Sequence, residues 1–250
     1  MNKIKSYLIE NYPGFYKVLK FTLILIFKNN LIKSHTRFIN IDEDDKFKHL
    51  FEGINYLKVA GILSDNNEVL PQTYFEFGCH SARTFSSAIN AVNYLKMKNF
   101  KFYALDSFKG LPTTNVSEDG IFKKGEFSTS KNNFIRLVKK YTNYGPEKYN
   151  IIEGYFEDSL TKDLKMELPK IGVVFIDVDL YSSTKTVLEF IKDLLVEGSL
   201  VIFDDWYCFP ESSNQGQKKA FDNFCQENNL VFKEWKNFGN FGKSFFLHSK

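Results

Sequence analysis

The chain of 250 residues is poor in cysteine: three, at 79, 208 and 225, with no CxxC spacing. That excludes a disulfide scaffold and a structural zinc site, and makes a reducing cytoplasm the expected compartment. Long apolar runs are also missing. The longest conspicuous one, Phe21–Phe27 (FTLILIF), is flanked by Lys17, Lys20, Lys28 and Lys33. It falls far short of the roughly 20 residues a membrane-spanning helix needs. It also starts too late, and lacks the small-residue cleavage site, for a signal peptide. Two readings of it stay open: a buried helix in a lid or dimer contact, or a helix lying on a membrane surface with its lysines toward headgroups. No long basic run exists, and the net charge is only +3, so a nucleic-acid footprint is not expected. Internal repeats are absent, and 43% hydrophobic against 25% charged residues excludes global disorder.

What is present divides at about residue 65. Upstream, Phe47, Leu50, Phe51, Ile54 and Leu57 recur at helical spacing, with Asp42 and Asp44 where a helix start favours acids. The expectation is a helical N-terminal lid or dimerisation segment over residues 1–65, in a homo-oligomer, and an α/β domain over 66–250. After Pro71 short apolar segments alternate with amphipathic ones. Strands are predicted at 73–77, 101–105, 149–152, 172–176 and 199–203. One helix face between them carries Phe85, Ala88, Ile89, Val92 and Leu95, a second Phe134, Leu137, Val138 and Tyr141, and a third Val187, Leu188, Ile191, Leu194 and Leu195. Nearly all-apolar strands alternating with helices mean a parallel, doubly wound sheet covered on both faces. The end differs: 230–235 and 244–247, joined by a Gly-rich loop, read as an antiparallel hairpin closing one edge.

In such sheets ligands sit beyond the carboxyl ends of the strands. After the first strand comes Glu76-Phe77-Gly78-Cys79-His80-Ser81-Ala82. Gly78 allows a tight turn, and small Ser81 and Ala82 let a helix begin against the strand. The G-x-G-x-x-G of a dinucleotide loop is missing, and the acid Glu76 beside the loop repels pyrophosphate. It suits a ligand with an amino group and a sulfonium, which points from NAD to S-adenosylmethionine. Asp106, at the end of the second strand, is placed to accept ribose hydroxyls. The fourth strand ends in Asp177-Val178-Asp179 and the fifth in Asp204-Asp205. Four carboxylates converging on one cleft call for a hard divalent cation such as Mg²⁺. In an extended segment Asp177 and Asp179 would point the same way, so both face the cleft.

The set EFGCHSARTF, YALDSFKGLP, EGYFEDSL, FIDVDLYSST and VIFDDW, over roughly residues 70–225, resembles the macrocin O-methyltransferase family, which methylates sugar hydroxyls. The resemblance implies a class I S-adenosylmethionine-dependent methyltransferase sheet. It implies Mg²⁺ on Asp177, Asp204 and Asp205, with Asp179 as general base. It implies cofactor contacts at Glu76, Gly78, Asp106 and Ser107, with Ser81 in the same loop. The stretch from Glu153, with Phe156, Asp158 and Ser159, looks like the loop beside the adenine. Ser81, Ala82 and Arg83 stand where the family usually carries more glycine, and the first 65 residues match no family motif. The acceptor is then a small molecule or saccharide, with no nucleic acid involved. The competing reading is a metal-dependent glycosyltransferase whose DVD binds a sugar nucleotide, a scheme that leaves Glu76 and Asp106 without a role. A non-catalytic chain that kept the fold would carry its clustered acids at a cost in stability.

Four neighbours of the motifs have less pointed readings. His80 is expected to bond backbone or pack, and Cys208 to be a small buried residue. Tyr181 and Trp206 either line the acceptor site or pack the strand ends. The polar loop at 113–130 is long enough to serve as a lid.

Overall fold

A computed structural model describes residues 41–63, 71–113, 122–209 and 215–248. The apolar segment 21–27 lies outside these. The chain divides into Met1–Asp44 and Asp45–Lys250. Among the described residues no helix is long and apolar enough to cross a membrane.

The second unit is built on one seven-stranded sheet. Five strands are parallel: β1 (Thr73–Phe77), β2 (Lys101–Asp106), β3 (Asn150–Glu153), β4 (Ile171–Ile176) and β5 (Leu195–Phe203). β6 (Val231–Phe238) and β7 (Gly242–His248) form the expected hairpin, with β7 antiparallel to β5. The order is β3-β2-β1-β4-β5-β7-β6. The chain therefore winds outward in one direction from β1 and in the other from β4, and the crevice between these two is the switch point.

Period-two alternation sends side chains to both faces. Phe75, Phe77, Val174, Ile176, Val201 and Phe203 join Val187, Leu188, Ile191, Phe221 and Phe224 in one core. The last five come from α6 (Tyr181–Ile191) and α7 (Gly216–Asn228). On the other face Tyr74 and Phe102 meet Phe85 of α2 (Arg83–Tyr94), which meets Phe134 of α3 (Lys131–Thr142). Short helices α4 (Phe156–Ser159) and α5 (Lys162–Glu167) join β3 to β4.

Helix α1 (Ile41–Val59) enters this unit from residue 45 onward: Phe47, Leu50, Ile54 and Leu57 are all buried. Gly53 explains the close fit, because a Cβ there would lie 2.6 Å from Leu200 Cδ2. The sequence-based division at 65 thus assigns to the N-terminal segment a helix that contributes to the sheet's core.

One predicted helix face is cut short. Leu194 and Leu195 have helical spacing, yet α6 ends at Ile191 and β5 starts at Leu195, which pairs with Ile171. The register then shifts, with Gly198 in the left-handed region at φ 82°. Ser199 Oγ bridges the irregularity, donating to Ile171 O at 2.7 Å and accepting from Val196 N at 2.9 Å. A bulge hidden in an apolar run has no periodic signature.

His49 on α1 ties that helix to β7. Its ring is 4% exposed, stacks on Phe238 at 4.2 Å, and its Nε2 lies 3.0 Å from Ser244 Oγ. Burial pushes its pKa down to about 4 from 6.5; Glu52 opposes this and Lys236 adds to it. Below pH 6.5 the unfolded chain takes up a proton that the folded one refuses. The contribution of a neutral His49 is therefore complete above pH 6.5 and lost as pH falls toward 4, by about 3 kcal/mol in all. Urea unfolding of the wild type and of His49→Phe across that window should show a steeper loss with falling pH in the wild type. Equal slopes would refute the assignment.

Candidate active site

A cavity of about 290 Å³ opens at the carboxyl edge of β1, β2, β4 and β5. Its floor is the turn after β1. Gly78 sits at φ 80°, and a Cβ there would lie 1.8 Å from Asp177 O, so no larger residue fits. Asp177 N donates to Phe77 O at 2.9 Å, locking the end of β4 to the end of β1.

Of the residues expected to contact the cofactor, Gly78, Asp106, Ser107 and Phe156 line this cavity. Asp106 is held from three sides: Cys79 N (2.7 Å) and His80 N (3.0 Å) donate to its Oδ2, and Phe108 N (2.6 Å) to its Oδ1. A carboxylate has about four acceptor positions, so one is left for a ligand. Glu76, Ser81, Asp158 and Ser159 do not line the cavity. Glu76 is 1% exposed, inside the sheet, and accepts a hydrogen bond from Tyr74 Oη. Ser159 Oγ donates to Tyr155 O at 2.9 Å and closes its own turn. Asp158 borders a neighbouring depression with Lys124 and Ser182.

The acidic set is assembled by strand ends and by a turn. Asp179 adopts φ 57°, and Leu180 N bonds back to Val178 O at 2.5 Å. The segment is therefore not extended, contrary to the sequence-based geometry. A left-handed turn, which aspartate tolerates better than most residues, swings Asp179 inward. Carboxylate oxygens of Asp177, Asp179 and Asp205 lie within 4.8 Å of one another. Asp204 lines the same cavity but is ion-paired: Lys46 Nζ lies 2.6 Å from its Oδ2 and 3.7 Å from Asp177 Oδ2. Burial, and then Asp177 and Asp204, push the Asp179 pKa well above the usual carboxylate range. Burial, and then Asp179 and Asp204, do the same to Asp205. Asp205 Oδ2 is buried with no hydrogen-bond partner, while its Oδ1 accepts from Cys208 Sγ at 3.3 Å. An all-oxygen donor set, crowded and with an orphaned buried atom, fits a hard divalent cation.

Several residues here escaped the sequence reading. Gln217 on α7 is fully buried; its Nε2 donates to Ile176 O at 3.2 Å and its Oε1 accepts from Asp205 N at 3.0 Å. One side-chain amide thus fixes the ends of both acid-bearing strands. Lys46 comes from α1, about 130 residues upstream of the acids in the chain, and no spacing rule links them. Glu126 and Phe127, in the described part of the 113–130 loop, line the cavity. His80 Nδ1 meets Phe127 O at 2.6 Å, so His80 bonds backbone as expected. Trp206 packs at 5% exposure with Phe221 and Phe245, which places it among the strand-end packing residues. Tyr181 borders the same core and accepts from Asn223 Nδ2 at 3.1 Å; neither aromatic lines the cavity.

A family model described as Macrocin-O-methyltransferase (TylF) matches residues 75–234. The chain belongs to that family. It is a methyltransferase with the class I fold, and nothing in the fold or the match supports the glycosyltransferase alternative. The methyltransferase's fold is similar to the O-methyltransferase NovP, with TM-score 0.66 and 18% identity over 82% of this chain and 81% of that one. It is also similar to CalS11, a calicheamicin methyltransferase, with TM-score 0.62 and 18% identity over 98% and 90% of the two chains. An apo structure of CalS11, described as a TDP-rhamnose 3'-O-methyltransferase, aligns with TM-score 0.55 and 17% identity over 98% and 92%. A search of curated proteins finds no match.

The Gln217 clamp has a measurable consequence. Gln217→Leu removes a donor from Ile176 O and leaves the Asp205 amide without its partner, at a cost of about 1–3 kcal/mol. Denaturant unfolding should show that loss, and calorimetry should show weaker divalent-ion binding because Asp205 is no longer held in place. Unchanged stability and ion affinity would show that the clamp is dispensable.

Proposed function

We propose that this methyltransferase transfers a methyl group from S-adenosylmethionine to a sugar hydroxyl, with a divalent cation, Mg²⁺, at its acidic centre. The observation that carries the reading is the convergence of Asp177, Asp179 and Asp205 within 4.8 Å beside the Gly78 turn. A donor-binding surface and a cation-binding surface share one cavity there. The sugar acceptor follows from family membership, and CalS11 carries a sugar substrate in its description.

When bound, the donor supplies an activated methyl on a sulfonium, and the cation supplies Lewis acidity for a hydroxyl that is a poor nucleophile at neutral pH. The chain's residues do the rest. Gly78 lets backbone approach the donor, and Ser107 and Phe156 border it. Asp106 uses its remaining acceptor position for a ribose hydroxyl. Glu76 acts from beneath, through its buried charge, favouring a cationic donor. Asp177, Asp204 and Asp205 would hold the cation.

Asp179 takes the acceptor's proton. Burial, and then Asp177 and Asp204, raise its affinity for a proton, which suits a base, and a divalent charge held nearby would lower it again. Its place in a left-handed turn, with its side chain lining the cavity, supports this role. Phe127 and Glu126 border the cavity opposite, where they help to keep water from the transferring methyl.

A Mg²⁺ titration of methyl-transfer rate tests the division of labour. Asp179→Asn should lower kcat by about 10²–10⁴ with cofactor binding intact, a defect that extra Mg²⁺ does not repair. Asp177→Asn should raise the Mg²⁺ concentration needed and recover when it is supplied. If both variants recover alike, Asp179 is a ligand and not the base. Wild-type activity that persists in excess chelator would remove the cation from the reaction.

A further inference from the structure

Lys46 is the one cation among the described residues that borders the cavity's acidic floor, apart from the ring of His80, which is turned to Phe127 O. Its ammonium lies 2.6 Å from Asp204 Oδ2 and 3.7 Å from Asp177 Oδ2, and its side chain is 18% exposed. Its helix is fixed independently. Gly53 lies against Leu200 and Trp235, His49 meets Ser244, and Glu52 pairs with Lys236 at 3.1 Å. The backbone of Lys46 is thus anchored, while its four-carbon stem, whose ammonium also lies 5.9 Å from the Phe175 ring centroid, is flexible enough for the ammonium to change partners.

The pairing is partial. Lys46 reaches Asp204 and Asp177, but Asp205 Oδ2 stays buried with no hydrogen-bond partner. A divalent ion drawn to that orphaned oxygen would sit within a few ångströms of the ammonium. The two positive charges repel each other there and compete for the same carboxylates.

We propose that Lys46 is a built-in counter-cation: it holds Asp204 and Asp177 in the ion-free protein and gives them up when a divalent ion binds. Ion binding and release of Lys46 are then one exchange. Lys46 thereby sets the ion affinity. This rests on the divalent-cation reading above, and the two fail separately.

The exchange is tested by calorimetry of Mg²⁺ and Mn²⁺ binding to the wild type, Lys46→Met and Lys46→Arg. Removing the competing charge should tighten ion binding about 10-fold or more in Lys46→Met, while Lys46→Arg stays near the wild type. Without ion, Lys46→Met should melt at a lower temperature than the wild type, and saturating ion should close that gap. A second readout needs no variant. Acetylation of wild-type Lys46 by an activated ester, followed by mass spectrometry, should rise about 3-fold or more on adding Mg²⁺, as the amine leaves its carboxylates.

Ion affinity that is unchanged or weaker in Lys46→Met overturns the exchange, as does Lys46 reactivity that is indifferent to the ion. Should Lys46→Met not fold, the acetylation result decides alone. If the wild type binds neither ion, the divalent-cation reading falls and the exchange falls with it.

Discussion

Mutual repulsion among four aspartates is the constraint on which the rest of this structure depends. Asp177, Asp179, Asp204 and Asp205 are brought to one edge by β4 and β5, whose own stability comes from fully buried apolar side chains. The sheet imposes the crowding; burial, and then the neighbouring acids, raise the pKa of Asp179 and Asp205, while Asp204 and Asp177 are met by Lys46. Around them the backbone is held where most residues resist going. His80, Phe127 and Asp179, all bordering the cavity, have positive φ, and so does Gly78. Strain of this kind costs about 1–3 kcal/mol per residue and persists only where packing over-determines it. Here the over-determination is visible: Asp177 N on Phe77 O, Gln217 across Ile176 and Asp205, and three amides on Asp106.

Much of this was legible in the sequence, for a physical reason. Parallel strands buried on both faces must be nearly all apolar, so TYFEF and IGVVFI stand out, and residues at their carboxyl ends are site candidates by topology alone. The five parallel strands follow from that reading, and the two hairpin strands from a pair of segments joined by a Gly-rich loop. Local signals failed where long-range packing decides. Leu194 and Leu195 have helical spacing, but Leu194 lies in the turn after α6 and Leu195 starts β5, where Ser199 and Gly198 accommodate a bulge. Asp177 and Asp179 converge through a left-handed turn and not through strand alternation. Gln217 and Lys46 carry no motif at all: each matters for a partner far away in the chain.

The same geometry suits one cavity to the two proposed ligands of different chemistry. The β1 side offers a tight turn and an acid held by three backbone donors with one acceptor position left, suited to positioning a nucleoside. The β4–β5 side offers unsaturated oxygen donors, suited to a cation. The crevice at the switch point joins them, so a hydroxyl held on the second side faces a group carried on the first. Positioning of that kind is worth more to a methyl transfer than any single side chain.

The central claim, that one cavity takes an adenosyl donor and a divalent cation together, is tested most directly by calorimetric titration of S-adenosylhomocysteine into protein with Mg²⁺ and with chelator, alongside a sugar nucleotide. The account expects one S-adenosylhomocysteine and one divalent ion per chain, and no comparable binding of the sugar nucleotide in place of the donor. Binding of the sugar nucleotide with no response to S-adenosylhomocysteine would contradict it.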